Sequence, residues 1–274
     1  MKKILLAFVS ITFSVLAMSQ TNADSLRTGL RNTTTKPAPK QTRMPLASKA
    51  TPTAPKKDWS KIDLSTRPAD HLMIQYGSDA WLNRPDSVRT GGFSRHFNAY
   101  FMLDKPFKSN ARFSLAFGVG IGSSNIFFDN TKVDLKSTSS RLPFTRVDSV
   151  DHFKKFKVTT IYAEIPVELR YYSDPEHPGK SWKAALGVKV GTLIKSYSKG
   201  KDLVNKAGNS IYGTGYVVKE SNKRFLNGTM LATTARIGYG LVSIDAGYQI
   251  NGVLKDGTGP SMNKFSIGIT ISGL

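Results

Sequence analysis

The 274-residue chain has no cysteine. That excludes disulfides, thiolate metal sites, a cysteine nucleophile and a bacterial lipoprotein anchor. Histidine is scarce, with only His71, His96, His152 and His177. No HExxH pair, P-loop or Rossmann glycine fingerprint occurs. Asp129, Asp134, Asp148 and Asp151 lie in one polar stretch without the EF-hand spacing, so neither a metal nor another cofactor is expected. Acidic residues are few, 19 against 39 Lys+Arg, for a formal net charge of +20. Beyond residue 16 there is no long apolar run, so a helical membrane protein is excluded. Hydrophobic residues make up 39% of the chain and charged ones 21%. That is too apolar for a wholly disordered protein and too irregular for collagen or a coiled coil.

The N-terminus reads as an export signal, residues 1–19. Lys2 and Lys3 precede the uncharged apolar run Ile4 to Leu16, and Ala17-Met18-Ser19 puts small residues before Gln20. The run falls short of the roughly 20 residues a spanning helix needs. An exported basic protein does not meet the chromosome, so nucleic acid is not an expected partner. Its anionic partners are envelope polymers or lipid headgroups.

Residues 20–69 read as a disordered basic tail. Between Asp24 and Lys61 nine basic residues stand against two acidic ones, and Pro37, Pro39, Pro45, Pro52 and Pro55 oppose helix and sheet. Such a segment buries too little apolar surface to offset its ordering entropy. It reads as a solvated tether, with a docking arm for an anionic partner as the competing reading.

From residue 70 to the C-terminus the pattern has period two. In Val158–Tyr172, Ile161, Ala163, Ile165, Val167, Leu169 and Tyr171 alternate with Tyr162, Glu164, Glu168 and Arg170. In Trp182–Lys195, Leu186, Val188, Val190 and Ile194 lie on one face, with Lys183, Gly187, Lys189, Gly191 and Lys195 on the other. Successive strand side chains point to opposite faces, so each strand has an apolar and a charged face. Eight such segments fall near 70–81, 93–104, 112–126, 157–173, 182–196, 228–239, 241–251 and 264–273. The second, fourth and sixth connections are short, and the third and fifth are long. This is the layout of an eight-stranded antiparallel transmembrane β-barrel with periplasmic turns and long outer loops. Both termini then lie in the periplasm.

The choice between this barrel and a soluble sandwich rests on the faces. Gly118, Gly120, Gly122, Gly187, Gly191, Gly247 and Gly268 share the charged face, as a crowded small-barrel interior requires. The opposite face is large, apolar and uncharged, which suits lipid. Phe107, Phe113, Phe127, Phe128, Tyr171, Trp182, Tyr239 and Phe265 near strand ends suit interfacial girdles.

The Ser19–Gln20 junction, the Phe113–Gly122 strand with its alternating glycines and the Ile161–Arg170 strand together resemble the small outer-membrane β-barrel proteins of Bacteroidota, the broad PorT-like family. In architecture the chain is similar to OmpX/OmpA-type barrels. The resemblance spans residues 70–274 and the signal peptide. It implies an outer-membrane location and carries over no functional residues.

The expected function is non-enzymatic: a structural, surface-interaction or accessory-subunit barrel with a closed polar lumen, since eight strands leave an interior that side chains fill. Glu164, Glu168, Arg170, Lys183 and Lys189 form the expected lumen salt-bridge network. If Tyr171 faces Trp182, Glu164 lies opposite Lys189; a shift of two residues sets Glu168 against Lys183. Arg112, Arg236 and Asp245 share the inward parity and are expected to extend the network. No catalytic residue is assigned, because His96 and His71 lack a sequence-local Ser and acid. The basic residues Lys199, Lys201, Lys206, Lys219, Lys223 and Arg224 suit contact with phosphorylated lipopolysaccharide, with generic solvation as the competing reading. Three other readings remain: a subunit of a secretion or barrel-insertion machine with a protein partner on the tail or long loops, a lipid A-modifying enzyme or protease, and a narrow transport pore.

Overall fold

The computed structural model describes residues 71–273 except Gly92 and Asp148. The expected signal peptide and basic tail lie outside the described residues. Eight strands carry the alternating pattern: β1 (Leu72–Leu82), β2 (Arg95–Pro106), β3 (Phe113–Phe128), β6 (His152–Tyr172), β7 (Trp182–Val204), β9 (Thr229–Tyr239), β10 (Val242–Gln249) and β11 (Asn263–Ser272). Each pairs antiparallel with its neighbour in chain order, and β1 also pairs with β11. That last pairing closes the sheet into an eight-stranded barrel and removes both free edges. Three further strands belong to the long loops. β4 (Thr131–Val133) and β5 (Phe144–Arg146) form a hairpin, and β8 (Val217–Ser221) pairs with the upper part of β7.

Burial follows the parity read from the sequence. On β6 the even residues from Tyr162 to Tyr172 are buried, and the odd ones face outward. The outer surface is a continuous apolar band that includes Phe117, Val119, Ile165, Val188, Ile244 and Ile267. Aromatic pairs lie at the turn end of the barrel, Phe113–Tyr171 with centroids 5.2 Å apart and Trp182–Tyr239 at 5.7 Å. The turn after β6 is tightened by a short 3₁₀ segment, Pro178–Lys180.

Two features differ from simple alternation. β6 and β7 run for 21 and 23 residues, about twice the 9–11 residues that a tilted strand needs to cross a bilayer. Their upper halves therefore project beyond the apolar band. The second feature is a β-bulge on β7: Tyr162 pairs with Leu193 but Ile161 pairs with Lys195, leaving Ile194 as the extra residue. An inserted residue reverses the parity of everything after it. Lys195 is exposed, not inward as the period-two reading expected. Above the bulge Lys199 lies between the buried Ser198 and Gly200, and so points out of the barrel.

The long loops fold over the lumen at that end. Trp81, Phe128, Phe156, Leu193, Phe225, Leu226, Met230, Leu254 and Met262 belong to one buried cluster with residues of loops 83–94, 129–151, 205–228 and 250–262. Backbone bonds hold the loops together: Leu142 N–H donates to Thr258 O at 2.7 Å, and Asn227 N–H to Val253 O at 2.9 Å. The lumen is thus polar in its middle and apolar at the loop end. The loop residues that form this plug carry no strand periodicity, so the pattern that marked the polar lumen did not mark the plug.

Candidate functional site

Inside the barrel, charge is concentrated at mid-height. Glu164 on β6 is 2% exposed. Its Oε2 accepts the Tyr100 hydroxyl at 2.5 Å and lies 3.0 Å from Lys189 Nζ. Lys189 also donates to the Tyr100 hydroxyl at 3.2 Å, so three strands meet at one carboxylate. Glu168 accepts from Arg170 Nε and from Arg236 Nη2 on β9, each at 2.9 Å. Arg236 Nη1 reaches across to Ser272 Oγ at 3.0 Å. Beside these, Asn98 donates to Gln75, Gln75 to Thr270, and Thr270 to Asp245.

Neither register expected from the sequence is adopted. Glu164 stands opposite Gly191 and Glu168 opposite Gly187, two residues beyond the first alignment. The reason is steric. A Cβ at Gly187 would come within 3.0 Å of Glu168 Cγ, and one at Gly191 within 3.2 Å of Glu164 Cγ. The glycines make room for the glutamate stems, and Lys189 reaches Glu164 diagonally. Lys183 is buried nearer the turn end, and its ammonium lies over the Tyr172 ring, 5.4 Å from the centroid. Arg112 is exposed in the turn before β3, whereas Arg236 and Asp245 are inward.

The sequence missed one buried constellation. His96 Nδ1 lies 2.8 Å from Asp79 Oδ1, and Ser124 Oγ donates to the other carboxylate oxygen. All three residues are buried. The partners lie 17 and 28 positions from His96 in the chain but on adjacent strands, so only the register brings them together. The order is wrong for nucleophilic catalysis: the hydroxyl bonds to the carboxylate, so the imidazole is not placed to take its proton. A cavity among Gln75, His96, Glu168, Lys189, Arg236 and Asp245 measures about 10 Å³, room for about one water. Among the described residues no group of three His, Asp or Glu is arranged to hold a metal.

On the outside, the upper halves of β6, β7 and β8 align basic residues in rows. Lys157 pairs directly with Lys199, and Lys199 with Lys219. One row above, Lys155 pairs with Lys201. Of the six residues expected to contact lipopolysaccharide, these strands bring together Lys199, Lys201 and Lys219. Lys206 lies in an exposed loop. Lys223 donates to Leu193 O at 3.4 Å and Arg224 to Ser137 O at 3.3 Å, so both belong to the packing of the loops. The sequence reading did not single out Arg95, Lys155 or Lys157.

These residues stand above the apolar band. Lys157 donates to Asn125 Oδ1 at 2.7 Å, and its ammonium lies 5.6 Å from the Phe127 centroid. Arg95 covers the same ring at 5.4 Å, and Lys219 lies 4.1 Å over Tyr197. Lys157 is held below the usual lysine range, first by partial burial; Tyr197 opposes the shift, and the charges of Lys199, Arg95 and Lys219 add to it.

No curated protein matches the sequence. Among solved structures the chain is similar to Ail, the attachment invasion locus protein of Yersinia pestis, at 15% identity and a TM-score of 0.28, covering 73% of this chain and 95% of that one. The crystal structure of Ail in complex with the heparin analogue sucrose octasulfate matches at 13% identity and a TM-score of 0.27, with the same coverage. Residues 71–272 match the model of the outer membrane protein beta-barrel domain, so this chain, a closed eight-stranded barrel with a lipid-facing exterior, belongs to that outer-membrane family.

Proposed function

We propose that the protein is a non-enzymatic outer-membrane barrel whose lumen is closed and whose working surface is its exterior at the loop end. One observation carries this reading: the interior is filled twice, by the Glu164 and Glu168 networks at mid-height and by the Trp81–Phe225–Met262 cluster above them. The cavity among the mid-height side chains measures about 10 Å³, which supports a lumen too tightly filled to pass solutes. The loops face outward and the 173–181 turn faces the periplasm, the usual polarity of such barrels. Assignment to the PorT-like barrels of Bacteroidota belongs to the same proposal and rests on the Ser19–Gln20 junction and the glycine-alternating Phe113–Gly122 strand.

Planar-bilayer recording tests the reading. Pure protein is expected to give no stable, large conductance. Reproducible porin-like conductance would overturn it and make the lumen a transport path.

A further inference from the structure

The rows of like charge on the upper β6–β7–β8 sheet have no internal reason to exist. Residues directly opposite on antiparallel strands hold their Cβ atoms about 4.5–5.5 Å apart, and like charges there are destabilising. Here Lys157, Lys199 and Lys219 stand side by side, with Lys155 and Lys201 above them. No described carboxylate forms an ion pair with any of the five. Their contacts are neutral: the Asn125 amide, the Phe127 ring and the Tyr197 ring orient Lys157 and Lys219 without cancelling their charge. The bulge at Ile194 is what turns Lys199 and Lys201 outward, since unbroken alternation would point them into the barrel.

Position selects the counter-ion. Below the lysine rows on the same strands come Tyr197 and Lys195, then Ile194, Ile161 and Ala163, and below those Ile165, Val190, Val167, Val188, Leu169 and Leu186 on the outward apolar face. A ligand that satisfies both zones carries phosphate immediately above acyl chains. We propose that the Lys157–Lys199–Lys219 ladder, with Lys155, Lys201 and Arg95 at its margins, is a docking site for the phosphorylated headgroup of an outer-leaflet glycolipid whose acyl chains lie on the apolar band below. Bridging phosphate oxygens accept from neighbouring ammonium groups, and charge-assisted bonds of this kind are roughly twice as strong as neutral ones. The ladder deepens the surface reading given above and rests on the outer-membrane placement. It does not depend on a closed lumen, so a conductance result leaves it standing.

The test uses the full chain, delipidated in a non-ionic detergent and titrated with a diphosphoryl glycolipid, its dephosphorylated form, or inorganic phosphate. Melting is followed by heat-modifiability, and binding by the shift in melting. Two changes of opposite sign are expected from Lys199→Gln. Without lipid the variant melts no lower than the parent, and higher if repulsion dominates. With the diphosphoryl glycolipid it gains less, with affinity falling about tenfold, a loss that the triple Lys157→Gln/Lys199→Gln/Lys219→Gln variant deepens. Lys206→Gln, in an exposed loop away from the ladder, serves as the net-charge control and retains the parent's affinity. Equal binding of the dephosphorylated glycolipid overturns the proposal. So does equal loss in the Lys206→Gln control, or stabilisation by inorganic phosphate alone that matches the glycolipid. If the triple variant does not fold, Lys199→Gln alone decides.

Discussion

Glu164→Gln probes the lumen most directly, because the substitution keeps shape and removes charge. Tyr100 retains an acceptor in the new carboxamide, whereas Lys189 loses the carboxylate it pairs with and keeps the Tyr100 hydroxyl at 3.2 Å and the face of that ring at 5.8 Å. The Lys189 side chain is 10% exposed, so bulk solvent does not replace the lost partner, and the cavity beside it has room for about one water. Leaving one charge of a buried pair uncompensated costs about 3–5 kcal/mol. For a domain of this size each kcal/mol shifts the midpoint by about 2–4 °C, so the folded band of the detergent-solubilised barrel should convert roughly 6–20 °C earlier on a heat-modifiability gel. Targeting to the outer membrane should be unchanged. The double variant Glu164→Gln/Lys189→Met removes both charges and should recover more than half of the loss, since apolar replacement of a complete buried pair is often neutral or stabilising. Single and double variants that both melt like the parent would refute the reasoning: the pair would then behave as a solvated surface pair, worth about 0–1 kcal/mol, and the lumen would hold water.

Two further outcomes follow from the faces of the sheet. Val188 is 47% exposed at the middle of the β7 apolar run, so Val188→Arg should cost about 2–4 kcal/mol in a bilayer, read as a lower folded fraction on refolding into vesicles; an unchanged fraction would mean this face does not meet lipid. Phe225 is 1% exposed in the loop-end cluster, and Phe225→Ala should cost about 3–5 kcal/mol. Hydrogen exchange should then rise in 205–228 and 250–262 but not in the 173–181 turn, whereas a uniform rise would show that the plug is not a separate layer.

The period-two alternation determined the strand count, the chain order of the strands, the closed barrel and the split between lipid face and lumen, because side-chain direction in a strand follows position alone. That is why Glu164, Glu168, Arg170, Lys183 and Lys189 were legible as inward residues. Pairing partners were not legible, because a register shift of two preserves every face and changes every neighbour. The clearance that Gly187 and Gly191 give to Glu168 and Glu164 set the alignment, and cross-strand geometry gave Glu168 to Arg236 on β9. The same limit hid Asp79 and Ser124 beside His96. Only the tertiary structure decided two other things. One is the inward folding of the loops, whose apolar residues carry no period. The other is the bulge at Ile194, a single unpaired residue that turned Lys195 outward and, above it, set Lys199 in line with Lys157 and Lys219.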